Sequence, residues 1–139
     1  AYSKTVTERD IQLFAIVSGD ANPVHLDEAY ASGTPFEGRI AHGMLTGALV
    51  SAAIATTLPG PGSVYRSQSL RFRAPVRIGD TVTVRLEVSD KNDRSQLVIL
   101  DCKAYNQDDK LVASGSADVI AAPGKIRVEA PILPEVSLN

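Results

Sequence analysis

The chain is poor in the residues that build metal centres and covalent staples. Among 139 residues there is one cysteine, Cys102, and there are two histidines, His25 and His42. A lone cysteine forms no internal disulfide, and one Cys with two His is too small a set for a structural zinc site. A reducing compartment, the cytoplasm, is therefore expected. Basic excess is missing as well: 14 Lys and Arg stand against 16 Asp and Glu, a formal net charge of -2. No overall positive field draws in nucleic acid. Long apolar runs are also lacking. The longest charge-free stretch, from Ile40 up to Arg66, is broken by Thr46, Ser51, Thr56, Thr57 and the Pro59–Gly62 turn. It reads as a buried helix and a turn, so no membrane span is expected. The first residues show no basic head before an apolar run, so no secretory leader is expected either.

What remains is ordinary for one globular domain, expected to span 1–139: 44% hydrophobic and 22% charged residues, with 8 Pro and 10 Gly. A chain of this size buries roughly two thirds of its surface, enough for a core without cross-links.

The first half reads as helical. Thr7 with Asp10 three positions on forms a capping pattern, and Ile11, Phe14 and Ala15 share one face, which predicts a helix over Glu8–Val17. Ser18-Gly19-Asp20 and Asn22-Pro23 are turn chemistry, so Asp20–His25 is expected as a fixed loop. Asp27 caps a second short helix through Ala29, Tyr30 and Ala31 that ends near Gly33. Met44–Leu58 carries no charge and many small residues, predicting a central helix enclosed on all sides.

After Pro59-Gly60-Pro61-Gly62 the pattern alternates with period two. Leu70 and Phe72 alternate with Arg71 and Arg73, and Val82, Val84, Leu86 and Val88 with Thr81, Thr83, Arg85 and Glu87. Further strands are expected over Ser95–Tyr105 and Leu111–Ala121, with turns at Lys91-Asn92-Asp93 and Asn106–Asp109. Pro131 and Pro134 confine the tail to an edge strand or a surface arm. A long apolar helix followed by an antiparallel meander suggests an α+β hot-dog fold, in which the sheet curls around the helix.

Both histidines lie between the first helix and the central one. His25 follows Asp20 by five residues across a turn stiffened by Asn22 and Pro23, a spacing that can bring a carboxylate and an imidazole to one water. The same residues would also serve if Asp20 only capped a turn that His25 ended. His42-Gly43 stands where the central helix begins, and unpaired N–H groups there favour negative charge. Gly43 could admit a carbonyl oxygen to its N–H, or could simply allow tight packing.

The segment Ser18-Gly19-Asp20-Ala21-Asn22-Pro23-Val24-His25-Leu26-Asp27, followed by Ile40-Ala41-His42-Gly43-Met44, closely resembles the hydratase-2 motif of MaoC-like, (R)-specific enoyl-CoA hydratases. Leu58–Tyr65, Gln68–Phe72 and Pro75–Asp80 are similar to the same family, so the likeness runs from about Val6 to Ala121. The resemblance implies reversible hydration of a trans-2-enoyl-CoA to the (R)-3-hydroxyacyl-CoA. It implies Asp20 and His25 as the catalytic pair, the Gly43 N–H as donor to the thioester carbonyl, and Ser51 as support for the aspartate. Asn22 is read as stiffening the loop. No metal and no cofactor is implied, coenzyme A being part of the substrate, and the family's habit is a homodimer. A hot-dog thioesterase or a non-catalytic acyl-thioester binding module would share the fold.

Arg66, Arg71, Arg73 and Arg77 fall within twelve residues free of acid and could meet coenzyme A phosphates, though a solvated strand face accounts for most of them. Tyr65 and Tyr105 read as packing residues. Cys102, in register with Val98, Leu100 and Ala104, reads as core.

Overall fold

The computed structural model describes residues 1–124 and 128–138. Helix α1, Glu8–Ser18, starts where expected because its cap is local: Asp10 N–H donates to Thr7 Oγ1 (3.1 Å) and Thr7 N–H to Asp10 Oδ2 (2.9 Å). It stops at Gly19, whose φ of 80° closes the helix in the left-handed region that glycine tolerates.

Asp20–His25 is not the plain loop that the turn residues suggest. Pro23–Leu26 forms one helical turn, α2, capped by Asn22, because a proline in the first helical position needs no N–H. Asp27 caps α3, Glu28–Ser32, through Tyr30 N–H (3.1 Å). Helix α4, Gly43–Thr56, begins one residue before the expected Met44 and ends two before Leu58.

Five strands make one antiparallel sheet in the order β1-β3-β4-β5-β2. They are β1 (Tyr2–Thr5), β2 (Val64–Phe72), β3 (Thr81–Asn92), β4 (Leu97–Tyr105) and β5 (Leu111–Ile120). The β3–β4 turn lies later than Lys91-Asn92-Asp93, since Asn92 is still in β3 and its Oδ1 accepts from Arg94 and Ser95 N–H at 2.9 and 3.2 Å. Asn106 serves the β4–β5 turn in the same way, accepting from Asp108 and Lys110 N–H. Strand β1 has no counterpart in the sequence reading. Its four residues pair with Thr81–Val84, so a distant strand holds them in place.

Alternate residues of the sheet, among them Val82, Val84, Leu100, Cys102, Ala104, Ala117 and Val119, pack against Leu45, Leu49, Val50, Ala53 and Ile54 of α4. Burial pushes the Cys102 thiol up, in keeping with a core residue. Arg85 sits 4.6 Å over the ring of half-buried Tyr105. The helix is not enclosed on all sides, contrary to its composition: in the single chain Met44, Ala48 and Ala55 stay exposed, and Gly47 and Ser51 are half-buried. A single sheet covers one side of a helix, and apolarity all round says nothing about what covers the other.

The tail is an arm. Residues 128–138 form no strand, and the Arg9 guanidinium donates to the Val136 carbonyl.

Strands β2 and β5 leave no room for a side chain at Gly115, opposite Leu70, where an added Cβ would lie 1.8 Å from the Ser69 carbonyl oxygen. That oxygen is main chain and cannot swing away. Gly115→Ala is expected to lower unfolding free energy by about 3 kcal/mol or more in urea titration. A variant within about 0.5 kcal/mol of the parent would show that β2 is free to move away from β5.

Candidate active site

The sequence-selected residues meet where α1 ends and α4 begins. The Asp20 carboxylate is anchored by its own turn: Asn22 N–H donates to Asp20 Oδ1 (3.2 Å) and Asp20 N–H donates to Ser18 Oγ (3.1 Å). Asn22 holds the next step, with Oδ1 accepting from Val24 N–H (3.2 Å) and its carbonyl accepting from His25 N–H (3.0 Å). Asp20 and Asn22 are exposed in the single chain, whereas His25 is buried.

His25 is fixed through its ring and its backbone. Nδ1 lies 2.8 Å from the Ile40 carbonyl, and the His25 carbonyl accepts from Arg39 Nε (2.8 Å). A carbonyl only accepts, so Nδ1 carries the hydrogen and the neutral ring keeps its lone pair on Nε2. Arg39 in turn reaches Glu8 of α1 (2.9 Å), locking α2 to α1.

His42 is almost wholly buried at 1% exposure, and as the residue before α4 it makes no cap bond to its own helix. Its Nε2 lies 2.9 Å from the Asp20 carbonyl, and its ring stacks on that of His25 with centroids 3.9 Å apart. Phe14 packs on the ring at 4.9 Å. Sequence reasoning placed His42 only as the neighbour of Gly43; the sole hint of more was that both histidines fall in one segment.

A ligating atom from each of Asp20, His25 and His42 lies within 4.8 Å of the others, and no direct hydrogen bond joins Asp20 to His25. Two hydrogen bonds of about 2.8 Å to one water span such a gap. The donor types suit a transition metal too, since each imidazole has one nitrogen bonded to a backbone carbonyl and the other without such a bond, as in metal-ligating histidines.

Gly43 opens α4, so its N–H has no partner within the helix, and the dipole there favours a developing negative charge. A Cβ at this position would stand 3.2 Å from the half-exposed Phe72 ring. Gly43, His42, Phe36, Phe72 and Arg73 line a cleft of about 400 Å³. Arg73 is thus the arginine at the cleft; Arg77 is bound to the Phe36 carbonyl, and Arg71 joins Arg73 and Lys103 along a second groove. Arg66 is exposed on β2.

Ser51 is two helical turns away from Gly43 and, among the described residues, makes no hydrogen bond to Asp20. It lines an apolar groove of about 440 Å³ with Phe14, Met44, Gly47, Tyr65 and Leu70. Burial pushes the Tyr65 phenol to about 12, and its O–H donates to Gln68 Oε1.

A carboxylate and an imidazole that can share one water, beside a free amide at a helix N-terminus, define a hot-dog protein equipped for water addition or removal. The MaoC like domain pattern matches residues 1–105, and the chain belongs to that family. It is 56% identical over 87 residues to a Rhodospirillum rubrum protein named (R)-specific enoyl-CoA hydratase, covering 63% of this chain and 60% of that protein. An Aeromonas caviae protein of the same name is 40% identical over 117 residues, covering 84% of this chain and 87% of the relative. The solved unliganded R-hydratase PhaJ1 of Pseudomonas aeruginosa superposes with a TM-score of 0.94 at 52% identity, over 99% of this chain and 88% of the other.

If the Asn22 side chain builds the turn that carries His25, Asn22→Ala is expected to lower stability by about 1 kcal/mol in chemical denaturation, and Asn22→Ser to restore most of it. Equal stability of the alanine variant would assign the turn to Pro23 alone.

Proposed function

We propose that the chain hydrates trans-2-enoyl-CoA reversibly, adding water across the double bond to give (R)-3-hydroxyacyl-CoA, in fatty-acid or polyester-precursor metabolism. The observation that carries this reading is the Asp20–His25 pair, whose ligating atoms lie within 4.8 Å of each other and of His42, the residue before Gly43. Relatives named for this activity over most of the chain support it.

Conjugation with the thioester makes C3 of the substrate electrophilic. His25 Nε2 accepts a hydrogen bond from the water, and Asp20 takes its proton as oxygen bonds to C3. The electron pair moves through C2 onto the thioester oxygen, where the Gly43 N–H meets the negative charge. Asp20 then returns the proton to C2, so the substrate gains one water in sum. The Ile40 carbonyl fixes the His25 tautomer but compensates an imidazolium less than a carboxylate would, which favours Asp20 as the proton carrier. No metal or separate cofactor enters these steps.

The groove along α4 fits the acyl chain, and Arg73, at the Gly43 cleft, is suited to a coenzyme A phosphate. A homodimer follows from what is uncovered. Val64, Phe72 and Met44 are 57%, 51% and 61% exposed along edge strand β2 and the bare face of α4. A second copy set against that edge would extend the sheet and cover the helix. Among the described residues no helix is long and apolar enough to cross a membrane. The buried free thiol of Cys102 accords with a cytoplasmic setting.

The test is loss of enoyl-thioester absorbance with crotonyl-CoA without release of free thiol, and chiral analysis of the product. Thiol release would favour a thioesterase instead. Asp20→Asn and His25→Asn are each expected to cut turnover by about 10² to 10⁴, and the double variant by far less than the product of the two, because both groups act on one water. An Asp20→Asn variant with more than about a tenth of parental turnover would remove Asp20 from proton transfer.

Replacing the His42-Gly43 amide by an ester through semisynthesis deletes the N–H and adds no side chain. Turnover should fall by about 10² or more while substrate affinity changes by less than about tenfold. Loss of affinity alone would make Gly43 a substrate-holding position.

A further inference from the structure

We propose that His42 is a positioning residue of this site: its Nε2–H holds the Asp20 main chain in place, so one side chain at the start of α4 sets the carboxylate relative to His25 and the Gly43 amide. The inference rests on the hydratase reading for its consequence but on geometry for its content. A polar side chain at a helix N-terminus ordinarily accepts from its own first turn, and His42 does not. It reaches instead across 22 residues to the Asp20 carbonyl, 2.9 Å away. That oxygen only accepts, so Nε2 must carry the hydrogen.

Nδ1 of His42 is buried and has no hydrogen-bond partner among the described residues. A hydrogen there would be a buried donor without an acceptor, so Nδ1 holds the lone pair and the ring is the neutral Nε2–H form. His25, bound through Nδ1 to Ile40, takes the opposite tautomer. Two imidazoles stacked at 3.9 Å with an interplanar angle of 27° thus carry their hydrogens on different nitrogens, and each is tied to a different backbone carbonyl. Asp20 is exposed and, among the described residues, its carboxylate is bonded only within its own turn, so the bond from His42 ties Asp20 itself to the start of α4, beside the bonds that Ile40 makes with Val24 and His25. A shift of about 1 Å in a reacting group can cost about 10² in rate.

Two substitutions separate the hydrogen bond from the ring. His42→Phe keeps an aromatic ring against Phe14 and His25 but has no N–H; His42→Gln keeps a donor near the Nε2 position and has no ring. With crotonyl-CoA, kcat of His42→Phe is expected to fall about tenfold or more with KM within about threefold, and His42→Gln to return kcat to within about threefold of the parent. Parental kcat in His42→Phe, equal losses in both variants, or a change confined to KM would overturn the proposal. Nitrogen-15 NMR of the imidazoles in the unaltered protein at neutral pH supplies a measurement that no folding defect can confuse. It should show His42 hydrogenated at Nε2 and His25 at Nδ1, and a hydrogen on Nδ1 of His42 would overturn the clamp. If the parent adds no water to enoyl thioesters, the hydratase reading fails on that result, while the NMR result still decides whether the clamp exists.

Discussion

Burial of α4 against the inner face of the sheet is the contact on which the remaining geometry hangs, because it fixes where the first amide of that helix stands. Leu45, Leu49, Val50, Ala53 and Ile54 give α4 its hold on Val82, Val84, Leu100 and Val119. The main-chain bond from Ala41 N–H to the Val76 carbonyl (2.7 Å) then sets the approach to His42. Gly43 is thus held by a hydrophobic core several residues away together with the bonds of the two residues before it.

The other half of the site is assembled from loop backbone, and it is stiff for a different reason. Ser18, Asp20 and Asn22 each turn a side-chain oxygen onto a neighbouring N–H, so the chain from Gly19 to Leu26 is a series of small closed rings. Arg39 then bridges the His25 carbonyl and Glu8 and joins that series to α1. The two halves meet at the stacked imidazoles. Neither half carries the full set of groups, which is why a carboxylate exposed to solvent in the lone chain can still have a defined relation to a buried ring.

Much of this was readable before any coordinates. Helix α1 is legible because Thr7, Asp10 and Gly19 specify both its ends within its own sequence, and the first half of β3 because one buried face forces alternation there. The compact Asp20–His25 motif made the pair visible through turn chemistry. Strand β1 was not legible, since four residues with two inward positions become a strand only by pairing with β3. Helix α2 was hidden because Pro23 reads as a breaker when it stands second to a cap. The bond from His42 to Asp20 joins residues that no local pattern relates. Ser51 shows the converse limit: its type matches the motif, but its place in the sequence does not say which groove it lines, two turns of α4 beyond Gly43.

The donor at Gly43 belongs to the main chain, and this has a bearing on how such a protein can change over generations. Every amino acid but proline supplies the same N–H, so nearly every coding change at that codon leaves the group itself in place. The groove along α4 is the reverse case, walled by Met44, Gly47, Ala48, Ser51 and Leu70, where each codon change alters width or depth. Inheritance therefore treats the two parts differently. The N–H persists as long as the helix does, and divergence between descendants accumulates in the walls of the groove.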